Sequence, residues 1–346
     1  MNIEKPRYVI YGAGAIGIPI AGLLAQSGQK VVCVARPAYV EALARGILIK
    51  EDGKEWIARS DAVTNAGDLV PESGDVAIIT VKSQVTESAV KELAERYGRT
   101  LPVVCLQNGV SNEGIASRSF ETVYAGLVFF SAVQIEPSII TLPQGRTVAI
   151  GCYPVGLDEG ARQIASDLAR AGLDAIASAH VMSMKWGKLV ANLNNATTAI
   201  AGYFLEQATA DIEMRRLMLA VREEGLRVLD AAGVAVEPPA DEPSPIRIRQ
   251  LTEKLRQPPK KDEEPQCLPD DQRTYSSMWQ DLFLGRESGE AGFLNGEIVA
   301  LGKRLGIATP YNSTLLEIVN RMFKEELKPG IFTAGQLHDL IRSQSQ

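Results

Sequence analysis

Four side chains on one short stretch could carry chemistry together. The stretch is Met184-Lys-Trp-Gly-Lys-Leu-Val-Ala-Asn-Leu-Asn-Asn195. Taken as a helix at about 100° per residue with Lys188 at zero, it puts Asn192 at about 40°, Asn195 at about −20° and Lys185 at about 60°. Trp186, Leu189, Val190 and Leu193 gather on the other side, at roughly 100° to 200°. One face is apolar and suited to burial; the other is a narrow stripe of two amines and two amides. A solvated helix face is the plain alternative, but asparagine is a poor helix former and gains little there. The stripe therefore reads as facing a cleft. An ammonium in a cleft suits carbonyl reduction. Negative charge grows on the oxygen as hydride reaches the carbon, and a lysine stabilises that charge and then donates the proton. Amides one turn away can hold a carboxylate or hydroxyl of the substrate.

Such a reaction needs a hydride donor, and the N-terminus offers a place for one. Tyr8-Val-Ile-Tyr leads straight into Gly12-Ala13-Gly14-Ala15-Ile16-Gly17, followed by an apolar helical segment to Gln26. Strand, G-x-G-x-x-G and helix opening together make a dinucleotide-binding fingerprint. Gly12 permits the tight turn, Gly14 lets a pyrophosphate approach the backbone, and Gly17 lets the helix pack on the strand. The helix N-terminus supplies free N–H groups to the phosphates. The second strand ends in Arg36, where an NAD-binding chain would place a carboxylate for the ribose hydroxyl. A guanidinium suits a 2′-phosphate, which favours NADP over NAD; a surface arginine at a strand end is the alternative. Lys82 at a later strand end can add a second positive charge, or be a solvated loop lysine.

These residues need a frame, and the chain of 346 residues is long enough for about two domains. Apolar runs at Lys30–Ala35, Asp75–Val81 and Pro102–Leu106 read as parallel strands covered on both faces. Helical segments follow at 39–45, Glu87–Tyr97 and Asp158–Ala171. Ile47–Ala62 alternates as short antiparallel strands, and Tyr124–Gln134 with Ile139–Gly151 as strand pairs closing the sheet. The expectation is an α/β doubly wound, Rossmann-type sheet over residues 1–179. Arg36, Lys82 and Asn108 then fall at strand C-termini, where such sheets bind ligands. From 180 to 346 helical periodicity dominates, at Trp186–Gly202, Asp211–Ala232, Phe293–Leu305 and Ser313–Glu326. An all-helical second domain is expected there, with a Pro- and charge-rich excursion at about 237–272 around one short helix, Ile246–Arg256.

Composition narrows the partners. The net charge of −6, with no long basic run, argues against nucleic acid as the main partner. Four scattered cysteines without C-x-x-C, and two histidines, leave a disulfide framework, a metal site or a Ser-His-Asp triad without the residues they need. The polar N-terminus has no signal-peptide pattern, and no apolar run reaches the ~18 residues of a membrane span. A cytoplasmic protein is expected.

A third segment, Arg273-Thr-Tyr-Ser-Ser-Met-Trp-Gln-Asp281, brings the hydroxyls of Ser276 and Ser277, and Glu290 follows just past Ser288-Gly289. Read alone, Glu290 could simply favour a helix N-terminus. With GAGAIG, the strand-end Arg36 and Lys82, Gln107-Asn108-Gly109, and the helix W-G-K-L-V-A-N, the chain over nearly its whole length resembles the ketopantoate reductase (2-dehydropantoate 2-reductase) family. The resemblance implies NADPH as cofactor, with Arg36 and Lys82 holding its phosphates. It implies Lys188 as general acid, with Asn108, Asn192 and Ser277 contacting substrate and Asn108 also beside the cofactor. Glu290 would bind a substrate hydroxyl or assist proton transfer. The implied reaction is reduction of 2-dehydropantoate to (R)-pantoate on the route to pantothenate and coenzyme A, in a monomer or homodimer. The family pattern has an asparagine where this chain has Ala196 and an acidic residue where it has Gly292. Asn195 projects closer to Lys188 than Ala196 does and could replace that contact. These departures lie on the substrate side. A reductase of another 2-oxo acid is therefore a second expectation, and a non-catalytic NADPH-binding sensor a third.

Overall fold

The continuous apolar runs expected as buried strands come together in one sheet. The computed structural model describes residues 6–51, 53–136, 138–142, 145–259 and 273–344. By contact, the chain divides into one compact unit of Met1–Lys185 with Pro238–Pro245 and a second of Trp186–Glu237 with Ile246–Gln346.

In the first unit the elements are β1 (Arg7–Tyr11), α1 (Gly17–Gln26), β2 (Lys30–Val34), α2 (Pro37–Arg45), β3 (Ile47–Glu51), β4 (Lys54–Ala58) and β5 (Asp61–Val63). They continue with β6 (Val76–Ile79), α3 (Thr86–Tyr97), β7 (Val103–Cys105), α4 (Asn112–Ala116), β8 (Val123–Phe129), β9 (Val133–Glu136) and β10 (Ile139–Leu142). Last come β11 (Thr147–Cys152), α5 (Glu159–Arg170) and β12 (Asp174–Ala177). The main sheet has the order β12-β11-β8-β7-β6-β1-β2-β5. Every pair is parallel except β8 with β11. The two-residue alternation of each strand builds two cores. Tyr8, Ile10, Cys33, Ile78 and Val104 face Ile18, Leu24, Ile164 and Leu168 of α1 and α5. Val9, Tyr11, Val34, Ile79 and Cys105 face Ala89, Val90, Leu93 and Ala116 of α3 and α4. Both faces being dry is what made these strands continuous apolar runs.

The expected closing strand pairs need correction. Only β8 and β11 extend the main sheet. β9 and β10 join β3 and β4 in a separate sheet of order β4-β3-β10-β9, where β10 runs parallel to β3. Its dry face, Ile47, Ile49, Ala58, Ile140 and Leu142, enters the same core as α1. This explains why α1 is apolar all round: the sheets cover both its sides. Likewise β5, expected as part of an antiparallel set, lies parallel to β2 in the main sheet.

The helix α6 (Val181–Asn192) starts in the first unit, and the division between units falls within it, after Lys185. The second unit continues with α7 (Asn194–Ala201), α8 (Leu205–Ala210), α9 (Ile212–Ala231), α10 (Ile248–Arg256), α11 (Ser277–Phe283), α12 (Asn295–Leu305), α13 (Pro310–Phe323) and α14 (Ala334–Gln344). No strand occurs among its described residues. The single helix expected over Trp186–Gly202 is two, meeting at Leu193, whose carbonyl accepts from the Asn295 amide at 3.2 Å. Of the 237–272 excursion, residues 260–272 lie outside the described residues. Pro238–Pro245 packs with the first unit, where Glu242 meets His180 Nε2 at 3.1 Å and accepts from Ser178 Oγ at 3.1 Å.

Candidate active site

The sheet order reverses between β1 and β6, since β2 and β5 lie to one side of β1 and β6, β7 and β8 to the other. At such a switch point the strand C-termini open a crevice for a ligand. The glycine turn occupies the end of β1. Gly12 has φ +108°, and a Cβ there would lie 2.7 Å from Val81. Gly17 lies against Gly12 O, Thr80 Oγ1 and Ile10, so the start of α1 reaches β1 only without a side chain. Gly14 differs: a Cβ there would meet nothing within 4 Å. The turn is braced by Thr80, which donates to Gly12 O at 2.6 Å, and by Gly14 N to Gly12 O at 2.8 Å. Thr80 carries no signal of this role in the sequence, where it is one polar residue ending an apolar run. Among the described residues, the N–H groups of Ala13, Ala15 and Ile16 have no backbone acceptor, and α1 has no side-chain cap. Free N–H groups beside open space above Gly14 fit the pyrophosphate of a dinucleotide.

Arg36 follows β2 and is the N-cap residue of α2. It is exposed, and its guanidinium lies 5.0 Å over the Tyr39 ring. Lys82 follows β6, half-buried, at the head of a short 3-10 turn. Asn108 follows β7. Its carbonyl accepts from Asn112 Nδ2 at 2.8 Å and Ser83 Oγ at 3.1 Å. Gln107 donates to Val81 O at 2.9 Å and to Thr86 Oγ1 at 2.8 Å. The loops after β6 and β7 are thus laced into one polar network.

One member of the expected lysine stripe sits elsewhere. Lys185 is buried, as is its neighbour Met184, because the first turn of α6 packs on the sheet residues Ala125, Leu127 and Ala149. Its ammonium pairs with Glu113 and donates to the carbonyls of Gln107 at 3.0 Å, Gly126 at 3.1 Å and Cys105 at 3.4 Å. Burial pushes the Glu113 carboxyl up, against the pull of the lysine charge. The projection placed Lys185 beside Lys188; nothing near it in sequence announces a partner 72 residues away.

In the second unit Lys188, Asn192 and Asn195 are half-buried, whereas Leu189, Val190 and Leu193 are buried. Asn195 Nδ2 lies 3.4 Å from Ser277 Oγ. Ala196 is fully buried, so position 196 offers no polar group and the Asn195–Ser277 pair stands at that end of the helix. Ser276 is the N-cap of α11, accepting from Trp279 N and donating to Asn195 O at 3.3 Å. Glu290 is buried at the head of a 3-10 turn, and Gly292 beside it faces open space. Behind these residues, the amide of Asn295 also bonds Asn312 Oδ1 at 3.0 Å. Asn312 in turn donates to Glu224, whose carboxylate also takes the N–H groups of Tyr311 and Asn312 at the start of α13.

The family model described as ketopantoate reductase PanE/ApbA matches residues 8–154, and that for the ketopantoate reductase PanE/ApbA C terminal matches 180–323. The 2-dehydropantoate 2-reductase of Pyrococcus horikoshii is 28% identical over 330 residues, covering 94% of this chain and 99% of its own. That of Archaeoglobus fulgidus is 30% identical over 322 residues, covering 90% and 96%. Among solved structures, the PanE/ApbA family ketopantoate reductase of Ralstonia eutropha aligns with a TM-score of 0.77 and 26% identity over 92% of this chain and 99% of its own. A D-mandelate dehydrogenase solved with NADH and anilino(oxo)acetate shares the fold, with a TM-score of 0.77 and 22% identity over 92% and 99%. The sheet order and glycine turn define a dinucleotide-binding fold. The chain belongs to the ketopantoate reductase PanE/ApbA family, whose members are NAD(P)-dependent reductases of 2-oxo acids.

Proposed function

We propose that this protein reduces 2-dehydropantoate to (R)-pantoate with NADPH, serving pantothenate and coenzyme A synthesis. The observation that carries the reading is the glycine turn with open space at Gly14, beside an arginine rather than a carboxylate at the end of β2. In this reading residues 1–179 hold the cofactor, and 180–346, together with Asn108, hold the substrate. The turn Gly12–Gly17 receives the pyrophosphate on the N–H groups of Ala13, Ala15 and Ile16. Arg36 takes the 2′-phosphate, and Lys82 adds positive charge. When bound, NADPH supplies the hydride for the carbonyl carbon. Lys188 stabilises the negative charge that develops on the carbonyl oxygen and gives it a proton, so the ketone becomes a hydroxyl. Asn108, Asn192, Asn195 and Ser277 orient the substrate through its carboxylate and hydroxyl groups, and Glu290 takes a substrate hydroxyl. A homodimer accords with the dimeric ketopantoate reductase of Staphylococcus aureus, a relative in fold.

A second reading, reduction of another 2-oxo acid, is favoured by Ala196 and Gly292 and by the fold shared with D-mandelate dehydrogenase. NADPH oxidation against 2-dehydropantoate and a panel of 2-oxo acids separates the two. The highest kcat/KM is expected for 2-dehydropantoate, and a higher value for an aryl or other branched 2-oxo acid overturns the first reading. Lys188→Ala should abolish turnover and leave NADPH binding nearly intact; unchanged turnover refutes its role as the acid. Binding of NADPH without turnover of any member of the panel would instead mark a sensor.

A further inference from the structure

We propose that the buried Lys185–Glu113 pair is a positioning device for Asn108, fixing the peptide that presents its side-chain amide. The inference rests on the reading of Asn108 as a cofactor and substrate contact. All its parts lie in the first unit.

Lysine and glutamate are rarely buried completely, because both lose their hydration. The Lys185 side chain is 1% exposed and that of Glu113 is 0%. An apolar pair of equal volume would generally hold a core at least as well as a buried ion pair. The geometry shows what the charges accomplish. The ammonium gathers three backbone carbonyls, Cys105 and Gln107 at the end of β7 and Gly126 in β8. The approach of β8 is made possible by Gly126 itself, where a Cβ would lie 2.7 Å from Leu106 Cδ1. The three N–H groups of the ammonium serve the carboxylate and the Gln107 and Gly126 carbonyls, with the more distant Cys105 carbonyl sharing one of them. Glu113, from the first turn of α4, balances the charge and ties that helix to the same point.

The clamp closes around one residue. Gln107 O, on the N-terminal side of Asn108, is held by Lys185. Asn108 O, on the other side, is held by Asn112 and Ser83. Gly109 then turns the chain away with φ +81°. Backbone on both sides is fixed, while the Asn108 side chain makes no hydrogen bond among the described residues. This is the arrangement expected of a group held ready for a ligand: its approach is set, and nothing in the protein competes for it.

A double-mutant cycle tests the coupling. Lys185→Met and Asn108→Ala are made singly and together, and each is titrated with NADPH by fluorescence and assayed for 2-oxo acid reduction. Lys185→Met should weaken NADPH binding and lower kcat/KM by about tenfold when Asn108 is present, and by less than about twofold in the Asn108→Ala background. Equal losses in both backgrounds would mean that the lysine supports the fold generally, and the inference fails. No loss in either background overturns it too. If Lys185→Met does not fold, Lys185→Met/Glu113→Gln, which leaves no buried charge, takes its place in the same cycle. The cycle is legible in NADPH binding alone. A protein that binds NADPH but reduces no 2-oxo acid refutes the proposed function and leaves the coupling to be judged; a protein that binds no NADPH refutes both.

Discussion

The two glycines at either end of the G-x-x-G half of the turn should fail in opposite ways. At Gly17 an alanine Cβ would press on Gly12 O, lie 2.6 Å from Thr80 Oγ1 and lie 3.1 Å from Ile10 Cγ2. The first of these is backbone and cannot rotate away. Overpacking of this kind costs about 1–3 kcal/mol. The displaced Thr80–Gly12 hydrogen bond adds about 1 kcal/mol, against about 0.4–1 kcal/mol regained from the stiffer unfolded chain. Gly17→Ala should therefore lose about 2 kcal/mol, which for a chain of this size lowers Tm by roughly 3 °C. At Gly14 the added Cβ meets nothing within 4 Å, and Gly14 is not among the glycines with positive φ. Gly14→Ala should leave Tm unchanged or raise it slightly. Its Cβ would stand where the pyrophosphate approaches the backbone. Losing one charge-assisted contact of about 1.5–3 kcal/mol would weaken NADPH binding roughly 10- to 150-fold. Thermal melts without cofactor and calorimetric titration with NADPH separate the effects. A Gly14→Ala protein that melts early, or that binds NADPH as tightly as the parent, would refute the assignment of the turn.

Arg36→Ala should raise the KM for NADPH about tenfold and leave that for NADH unchanged, the lower end of a charge-assisted contact because Arg36 is exposed. Equal changes for both nucleotides would exclude a 2′-phosphate contact. His338, whose Nδ1 is buried without a partner, has its pKa lowered by burial. The unfolded chain therefore takes up the proton first, and stability should fall as pH drops from about 6.5 toward the lower folded value. His338→Leu should flatten that part of the curve in urea melts; an unchanged slope assigns it to other groups. Burial pushes the Cys33 thiol up to about 12 and Cys105 well above its ordinary range. Peptide mapping after treatment with a thiol reagent at pH 8 should find both unmodified until the protein is unfolded, and labelling of the native protein would contradict their burial.

What the sequence disclosed depended on how local each cause was. Both faces of β1, β2, β6 and β7 are dry, so their residues are apolar without interruption and the strands could be read directly. Once strands alternate with helices, the chain positions of Gly12, Arg36, Lys82 and Asn108 place them at C-terminal strand ends. The second sheet was hidden because β10 pairs with β3 from some ninety residues earlier, and short alternating strands carry no label of their sheet. The Leu193 carbonyl, where the two helices meet, is bound by Asn295 from 102 residues away. Burial of Lys185 depends on Glu113 and on carbonyls from two strands, none of which leaves a mark on the helix itself. A projection captures the faces of an isolated helix. It misses a helix whose first turn lies against a sheet.

The return of Pro238–Pro245 to the first unit bears on how the chain can be dissected. A gene truncated after Lys185 would encode every strand of the main sheet yet omit Glu242, leaving Ser178 and His180 without the carboxylate they share. A fragment beginning at Trp186 would carry those eight residues with nothing to pack against. No single cut in the chain separates the two units. A stable fragment of the first unit would need the 238–245 segment supplied as well, grafted through a linker or added as a peptide.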